Sequence, residues 1–186
     1  LYTSLAALPV PFQPVHLLFI NLLTDSLPAL AIGMEPAERD VLSEKPRNPK
    51  GGILERRFMA LLLGQGALIA VCTMISFEVG LKESAALAST MAFATLTLAR
   101  LFHGFNCRSR HSIVKIGFRR NRYSLGAFAL GVLLLALVLF VPALKTFFEV
   151  ETMNGMQLGC VGVMAVLPTF VIQNFKVVGE VFDREK

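Results

Sequence analysis

The stretch FINLLTDSLPALAIGME, residues 19–35, is a hydrophobic run that contains an amide, a hydroxyl and a carboxylate. Asn21, Thr24 and Asp25 supply these groups, and Pro28 follows shortly after the aspartate. A run of about 20 apolar residues is long enough to cross the hydrocarbon core of a bilayer as a helix. A carboxylate is costly in that position and usually marks a function. Both the fold and the function therefore depend on whether this run lies in a membrane.

The composition of the chain is typical of a membrane protein. Of its 186 residues, 54% are hydrophobic and 17% are charged, and the mean hydropathy is +0.62. Five long runs contain at most one charge each, and they are residues 15–34, 58–77, 84–105, 125–144 and 156–175. We therefore predict an all-α, polytopic membrane helix bundle in which these five runs are the transmembrane helices.

Residues 1–10, LYTSLAALPV, form an apolar stretch of about half a span. The stretch has neither an initiator Met nor a basic segment before it, which argues against a secretory signal peptide. We interpret it as the end of a truncated helix. We therefore expect the sequence to be the C-terminal part of a longer protein.

Basic residues are distributed unevenly between the predicted spans. Residues 35–57 and 106–124 contain six Lys or Arg each and the C-terminal tail contains three, whereas the other two connections contain one each. The positive-inside rule therefore predicts cytoplasmic loops at 35–57 and 106–124 and a cytoplasmic C-terminus, in a multi-pass protein of the cell membrane. The expected partner of these charges is the anionic surface of the lipid bilayer, so the net charge of +5 does not indicate nucleic-acid binding.

The loop at residues 35–57 contains three prolines, two glycines and charges of both signs. Two interpretations remain open for it. It could be a docking surface for a cytoplasmic domain, with Asp40 and Arg47 as candidate coupling residues. It could equally be a solvated loop that is anchored by lipid headgroups.

The polar residues of the first span have the chemistry of a cation site. Asn21, Thr24 and Asp25 are spaced i, i+3 and i+4, so they share one helix face. All three provide oxygen, the ligand that calcium prefers. Pro28 cannot donate a hydrogen bond to the carbonyl of Thr24, which loosens the helix there. One helix supplies too few ligands, and the alternative is that these groups only hydrogen-bond to neighbouring helices.

Residues 14–42, PVHLLFINLLTDSLPALAIGMEPAERDVL, resemble the sixth transmembrane helix and following loop of type II P-type cation-transporting ATPases. The most similar members are bacterial calcium-transporting ATPases of the sarcoplasmic-reticulum-like group. The motif N-x-x-T-D-x-x-P, here Asn21, Thr24, Asp25 and Pro28, carries the resemblance. It extends over the whole chain, which corresponds to the end of the fifth helix and helices six to ten.

The resemblance implies that Asn21, Thr24 and Asp25 bind the transported calcium and that Pro28 unwinds the helix that presents them. The remaining ligands are expected on the fourth and fifth helices of the pump. ATP and magnesium are expected to bind to cytoplasmic domains of the parent protein, including the phosphorylation domain. We accordingly expect no catalytic residue within this sequence.

Arg100 departs from the family pattern, because the related calcium pumps carry a glutamate ligand at this position of the eighth helix. An arginine has five donors and no acceptor, so it cannot bind a cation. We expect Arg100 to fill the second ion site, to pair with a carboxylate such as Asp25, and to leave one calcium per cycle. The alternative is that the side chain extends to the cytoplasmic interface. His103, one turn further on, is expected to be a hydrogen-bonded interfacial residue rather than part of a proton path.

Other functions remain open at this stage. The same motif is compatible with a P-type pump for manganese or another cation. A channel or secondary transporter that uses the intramembrane carboxylate is the alternative from another class of protein. A purely structural bundle would leave the polar cluster around Asp25 unexplained.

Overall fold

The computed structural model describes residues 2–36, 56–109, 111–117 and 119–184, and the regular secondary structure in these residues is helical throughout. The elements are α1 (Tyr2–Leu5), α2 (Pro14–Phe19), a π-helical turn (Ile20–Thr24), α3 (Ser26–Gly33), α4 (Arg56–Leu81), α5 (Ala85–Asn106), α6 (Ile113–Ile116), α7 (Arg122–Phe140), α8 (Pro142–Phe147) and α9 (Gly155–Arg184). Asp40 and Arg47 lie outside the described residues.

Five helical stretches of the described chain are long and apolar enough to cross a membrane. They are Pro14–Gly33, Phe58–Leu81, Ala85–Asn106, Arg122–Phe140 and Gly155–Val181. The first stretch combines α2, the π turn and α3, and the others correspond to α4, α5, α7 and α9. The predicted fold class, an all-α membrane helix bundle, is therefore confirmed.

Helix α5 forms the centre of the bundle. In α5, 67% of the membrane-spanning stretch is buried by other helices, compared with 17–28% in the other four spans. Helices α3, α4, α7 and α9 all contact it. The alanines Ala88, Ala92 and Ala99 are 0% exposed, and such small residues allow the backbones of neighbouring helices to approach closely.

The span predicted at residues 125–144 ends earlier than expected. Helix α7 stops at Phe140, Val141 is extended with φ −84° and ψ 118°, and Pro142 begins the separate helix α8. The physical reason is that a residue before proline is disfavoured in helical geometry, whereas proline itself suits the first position of a helix. Helices α4 and α9 instead continue beyond the charge-free runs, to Leu81 and Arg184.

The two ends of the bundle differ in charge. At the end where α3 and α5 finish and α7 begins, which we call the basic end, the described chain carries Arg108 and Arg120. At the opposite end, the short turn between α4 and α5 is tied to the segment before α9. The hydroxyl of Ser84 donates a hydrogen bond of 2.9 Å to Glu151 there.

Candidate ion-binding site

The helix that carries the polar cluster changes its geometry at that cluster. Residues Ile20–Thr24 form a π-helical turn, and the backbone N–H of Asp25 donates to the carbonyl of Ile20 at 3.1 Å, five residues back. Such turns inside α-helices are frequent at functional sites. The chain remains helical across Pro28, which cannot donate to the carbonyl of Thr24. The π turn lies upstream of Pro28, the residues on both sides of Pro28 are helical, and the unwinding by Pro28 stays a prediction.

The π turn has one face towards the core and one face away from it. Phe19 and Ile20 are 4% and 1% exposed and belong to the main hydrophobic cluster. Asn21 and Leu22 are exposed, whereas the Asp25 side chain is one-third exposed, at 33%. Asn21 and Asp25 are thus accessible from outside the described bundle at the level of the π turn.

Asp25 is paired with Arg100. The guanidinium of Arg100, on α5, donates a charge-assisted hydrogen bond to Oδ2 of Asp25, on the adjacent span. The two side chains are 37% and 33% exposed. The structure therefore brings together the two charged residues that the sequence places within predicted spans. Arg100 faces Asp25 here, and the filling of a second ion site by Arg100 stays a prediction.

His103 lies one turn beyond Arg100 on α5, in a polar cluster with residues of α9. The side-chain amide of Asn106 donates to Nδ1 of His103 at 3.2 Å and to the hydroxyl of Thr169 at 3.3 Å. Gln173 in turn donates to Oδ1 of Asn106 at 2.5 Å. His103 is thus hydrogen-bonded, as expected from the sequence.

A second ion pair joins the same helices at the basic end of the bundle. Arg108 donates two hydrogen bonds to the carboxylate of Glu35, at 2.9 and 3.0 Å, and its side chain is 0% exposed. Asn121 donates to the carbonyl of Ala31 and to Glu35, both at 2.8 Å, and accepts from the backbone N–H of Ser124 at 3.1 Å. We call Glu35, Arg108 and Asn121 the Glu35 cluster.

The Glu35 cluster keeps its carboxylate ionised. Burial acts to raise the pKa of Glu35, but the hydrogen bonds from Arg108 and Asn121 and the charges of Arg108 and Arg120 outweigh it. The net effect is a pKa below the ordinary value, because the donors stabilise the charged form. This cluster was not predicted from the sequence. The sequence did contain a signal for it, since an acid and an arginine each directly follow a different span.

The described residues do not form a complete ion site. Among them, no group of three His, Cys, Asp or Glu side chains could hold a metal ion. Calcium takes roughly six to eight oxygen ligands, more than Asn21, Thr24 and Asp25 supply together. A calcium site at the π turn therefore requires ligands from other helices.

Residues 9–178 match the family described as cation transporting ATPase, C-terminus. The chain belongs to this family. Two bacterial relatives and one mammalian relative illustrate the match. The calcium-transporting ATPase of Bacillus subtilis (strain 168) is 38% identical over 175 residues, which are 92% of this chain and 20% of that protein. Calcium-transporting ATPase 1 of Lactococcus lactis subsp. lactis (strain IL1403) is 38% identical over 176 residues, 94% of this chain and 20% of that protein.

Similarity also extends to mammals. The rat (Rattus norvegicus) calcium-transporting ATPase type 2C member 2 is 32% identical over 163 residues, which are 84% of this chain and 17% of that protein. This chain thus spans about a fifth of the length of its bacterial relatives, for example 20% of the Bacillus subtilis protein. The resemblance that the motif around Asp25 indicated is confirmed. The Asp25–Arg100 pair and the Glu35 cluster both lie within the matched residues.

Proposed function

We propose that this chain is the membrane part of an ATP-driven calcium pump and that Asn21, Thr24 and Asp25 bind the transported ion. The single observation that carries the proposal is the intramembrane carboxylate of Asp25, which follows a π turn and faces Arg100. The relatives named as calcium-transporting ATPases support calcium as the ion. The exposed position of Asn21 leaves room for ligands from further helices of the pump.

In this proposal, Asp25 alternates between two partners. When calcium occupies the site, Asp25 binds the ion, and when calcium has left, Arg100 neutralises the carboxylate. Arginine remains charged in proteins and cannot itself bind a cation. As a separate part of the proposal, Arg100 fills the place of a second ion, so that the pump moves one calcium per cycle.

In this proposal, the remaining parts of the pump lie outside this chain. ATP and magnesium bind to cytoplasmic domains of the parent protein, and the phosphorylation domain contacts the segment at residues 35–57, with Asp40 and Arg47 as candidates. The basic end of the bundle and the C-terminus face the cytoplasm, as the positive-inside rule predicts. Pro28 keeps the helix deformable next to Asp25.

The test is ATP-driven calcium uptake by the full-length protein in sealed vesicles, with wild type compared with Asp25→Asn. We expect uptake to fall by about tenfold or more, since loss of a group at a metal site has effects of this size. Glu151→Gln, at the opposite end of the bundle, is the matched control and should retain uptake.

Several results would contradict the proposal. Uptake that persists in Asp25→Asn would remove the ion from this residue. Uptake of manganese or another cation, with no uptake of calcium, would favour a pump for that ion. Calcium flux that does not depend on ATP would favour a channel or secondary transporter.

A further inference from the structure

Two ion pairs of the described chain lie on one seam between two helices. Three of the contacts between α3 and α5, with the residues that flank each helix, define this seam. They are Asp25–Arg100, Pro28–Gly104 and Glu35–Arg108. In both ion pairs, the acid belongs to the α3 side and the arginine to the α5 side. Between the pairs, a β-carbon added at Gly104 would lie 3.4 Å from Cβ of Pro28, so the helices are in close contact.

The two ion pairs differ in burial and geometry. Asp25–Arg100 is a contact between one donor nitrogen and one oxygen, and both side chains are about a third exposed, at 33% and 37%. Glu35–Arg108 uses both carboxylate oxygens, and its side chains are 14% and 0% exposed. A bidentate arginine pair fixes the relative position of its partners, whereas the single contact of Asp25 with Arg100 leaves the second carboxylate oxygen of Asp25 available for another partner.

The buried pair is also tied to the rest of the bundle. Lys176 of α9 donates hydrogen bonds of 2.7 Å to the carbonyls of Asn106 and Ser109, on either side of Arg108 in the sequence. A cation next to the last carbonyls of a helix stabilises its C-terminal end. On the other side, Asn121 connects the start of α7 to the end of α3. The basic end of the seam is therefore held by four helices.

We propose that Glu35 and Arg108 are positioning residues for the ion site. They hold α3 in a fixed register on α5, so that Asp25 exchanges between Arg100 and the ion while the basic end of the seam stays in place. This inference rests on the proposed function and deepens it. If the register loosens, Asp25 no longer meets the ion at a defined position, and the affinity for calcium falls.

The experiment measures ATP-driven calcium uptake by the full-length protein in sealed vesicles at a series of calcium concentrations. The variants are Glu35→Gln, Arg108→Lys and the charge exchange Glu35→Arg with Arg108→Glu. We expect Glu35→Gln to raise the calcium concentration for half-maximal uptake by about tenfold, as for outer-shell partners of metal ligands, with the maximal rate largely retained. Arg108→Lys keeps the charge but loses the bidentate geometry, so its shift should be smaller.

A control variant and the charge exchange show whether Glu35 and Arg108 position the ion site or only support folding. Arg122→Gln removes an exposed charge from the same end of the bundle and should leave the half-maximal concentration unchanged. The charge exchange should recover part of the affinity lost in Glu35→Gln. An unchanged half-maximal concentration in both Glu35→Gln and Arg108→Lys would overturn the inference, as would a lower maximal rate without any change in that concentration. A wild-type protein that takes up no calcium with ATP would instead overturn the proposed function.

Discussion

The two spans that carry an intramembrane charge are built differently. Arg100 lies on α5, an uninterrupted helix of 22 residues that is 67% buried by its neighbours. Asp25 lies on a span that is 25% buried and changes from α-helix to π-helix just before the carboxylate. The arginine therefore lies on a regular and largely buried helix, which we call the rigid span, and the carboxylate lies on a less buried span with a π turn, which we call the deformable span. In the proposed pump, the ligand side of the ion pair moves and its counter-charge stays.

The largest effect is expected from disturbing the rigid span. A β-carbon at Gly80 would lie 2.7 Å from Cα of Ala88 and 2.9 Å from its backbone nitrogen, so Gly80→Ala forces α4 away from α5. Overpacking of this kind typically costs about 1–3 kcal/mol in the free energy of unfolding. The measurement is thermal unfolding of the purified protein in detergent.

Gly66→Ala, on the same helix as Gly80, is the matched control, because nothing lies within 4 Å of the added β-carbon. This variant should be neutral or stabilised by up to about 1 kcal/mol, the helix propensity of alanine over glycine. Equal unfolding temperatures for Gly80→Ala and wild type would show that the contact between α4 and α5 is looser than described.

The second-largest effect is expected from a substitution in the deformable span, which carries Asp25. Pro28→Ala restores a backbone donor opposite the carbonyl of Thr24 and allows a regular α-helix to form there. We expect the half-maximal calcium concentration for uptake to rise about tenfold, equivalent to about 1.4 kcal/mol of binding free energy. The unfolding temperature should stay the same or rise, since alanine favours helix over proline. A drop in both stability and affinity would mean that Pro28 serves packing against Gly104 instead.

The smallest effect is expected from removing the counter-charge. If Arg100 and calcium compete for Asp25, Arg100→Met should lower the half-maximal calcium concentration by about fivefold, the lower end of the range typical for two coupled binding events. The maximal uptake rate should fall as well, because no cation replaces calcium when it leaves. Arg100→Lys keeps a positive charge and serves as the control. Weaker calcium binding in Arg100→Met would show that the arginine supports the site and does not compete for it.

The sequence predicts the membrane bundle well because the signal for each span is local. A charge-free run of about 20 residues is sufficient to identify a span. The ends of the helices are less predictable from such runs, since hydropathy does not register the helix break that Pro142 imposes. The π turn at Ile20–Thr24 has only an indirect signal, the proline that follows it.

The candidate site is predictable only in part. The motif singles out Asp25, the resemblance to the family leads to the prediction that Arg100 pairs with it, and the structure shows this pair. The pairing of Glu35 with Arg108 joins residues that are 73 positions apart, and it depends on how α3 and α5 pack. No periodicity or spacing within either segment contains that information. The roles of Asn21, Thr24 and Asp25 as ligands stay predictions, because the described residues do not complete an ion site.

Asp25 and Arg100 are 75 residues apart, so the carboxylate is synthesised well before its partner. At roughly 5–20 residues per second, a ribosome needs about 4–15 s to make the intervening chain. During that interval Asp25 has no contact with Arg100, and its protonated form is easier to place in an apolar environment than the carboxylate. The ion pair is therefore a late step in the assembly of the bundle, formed only after α5 has been synthesised.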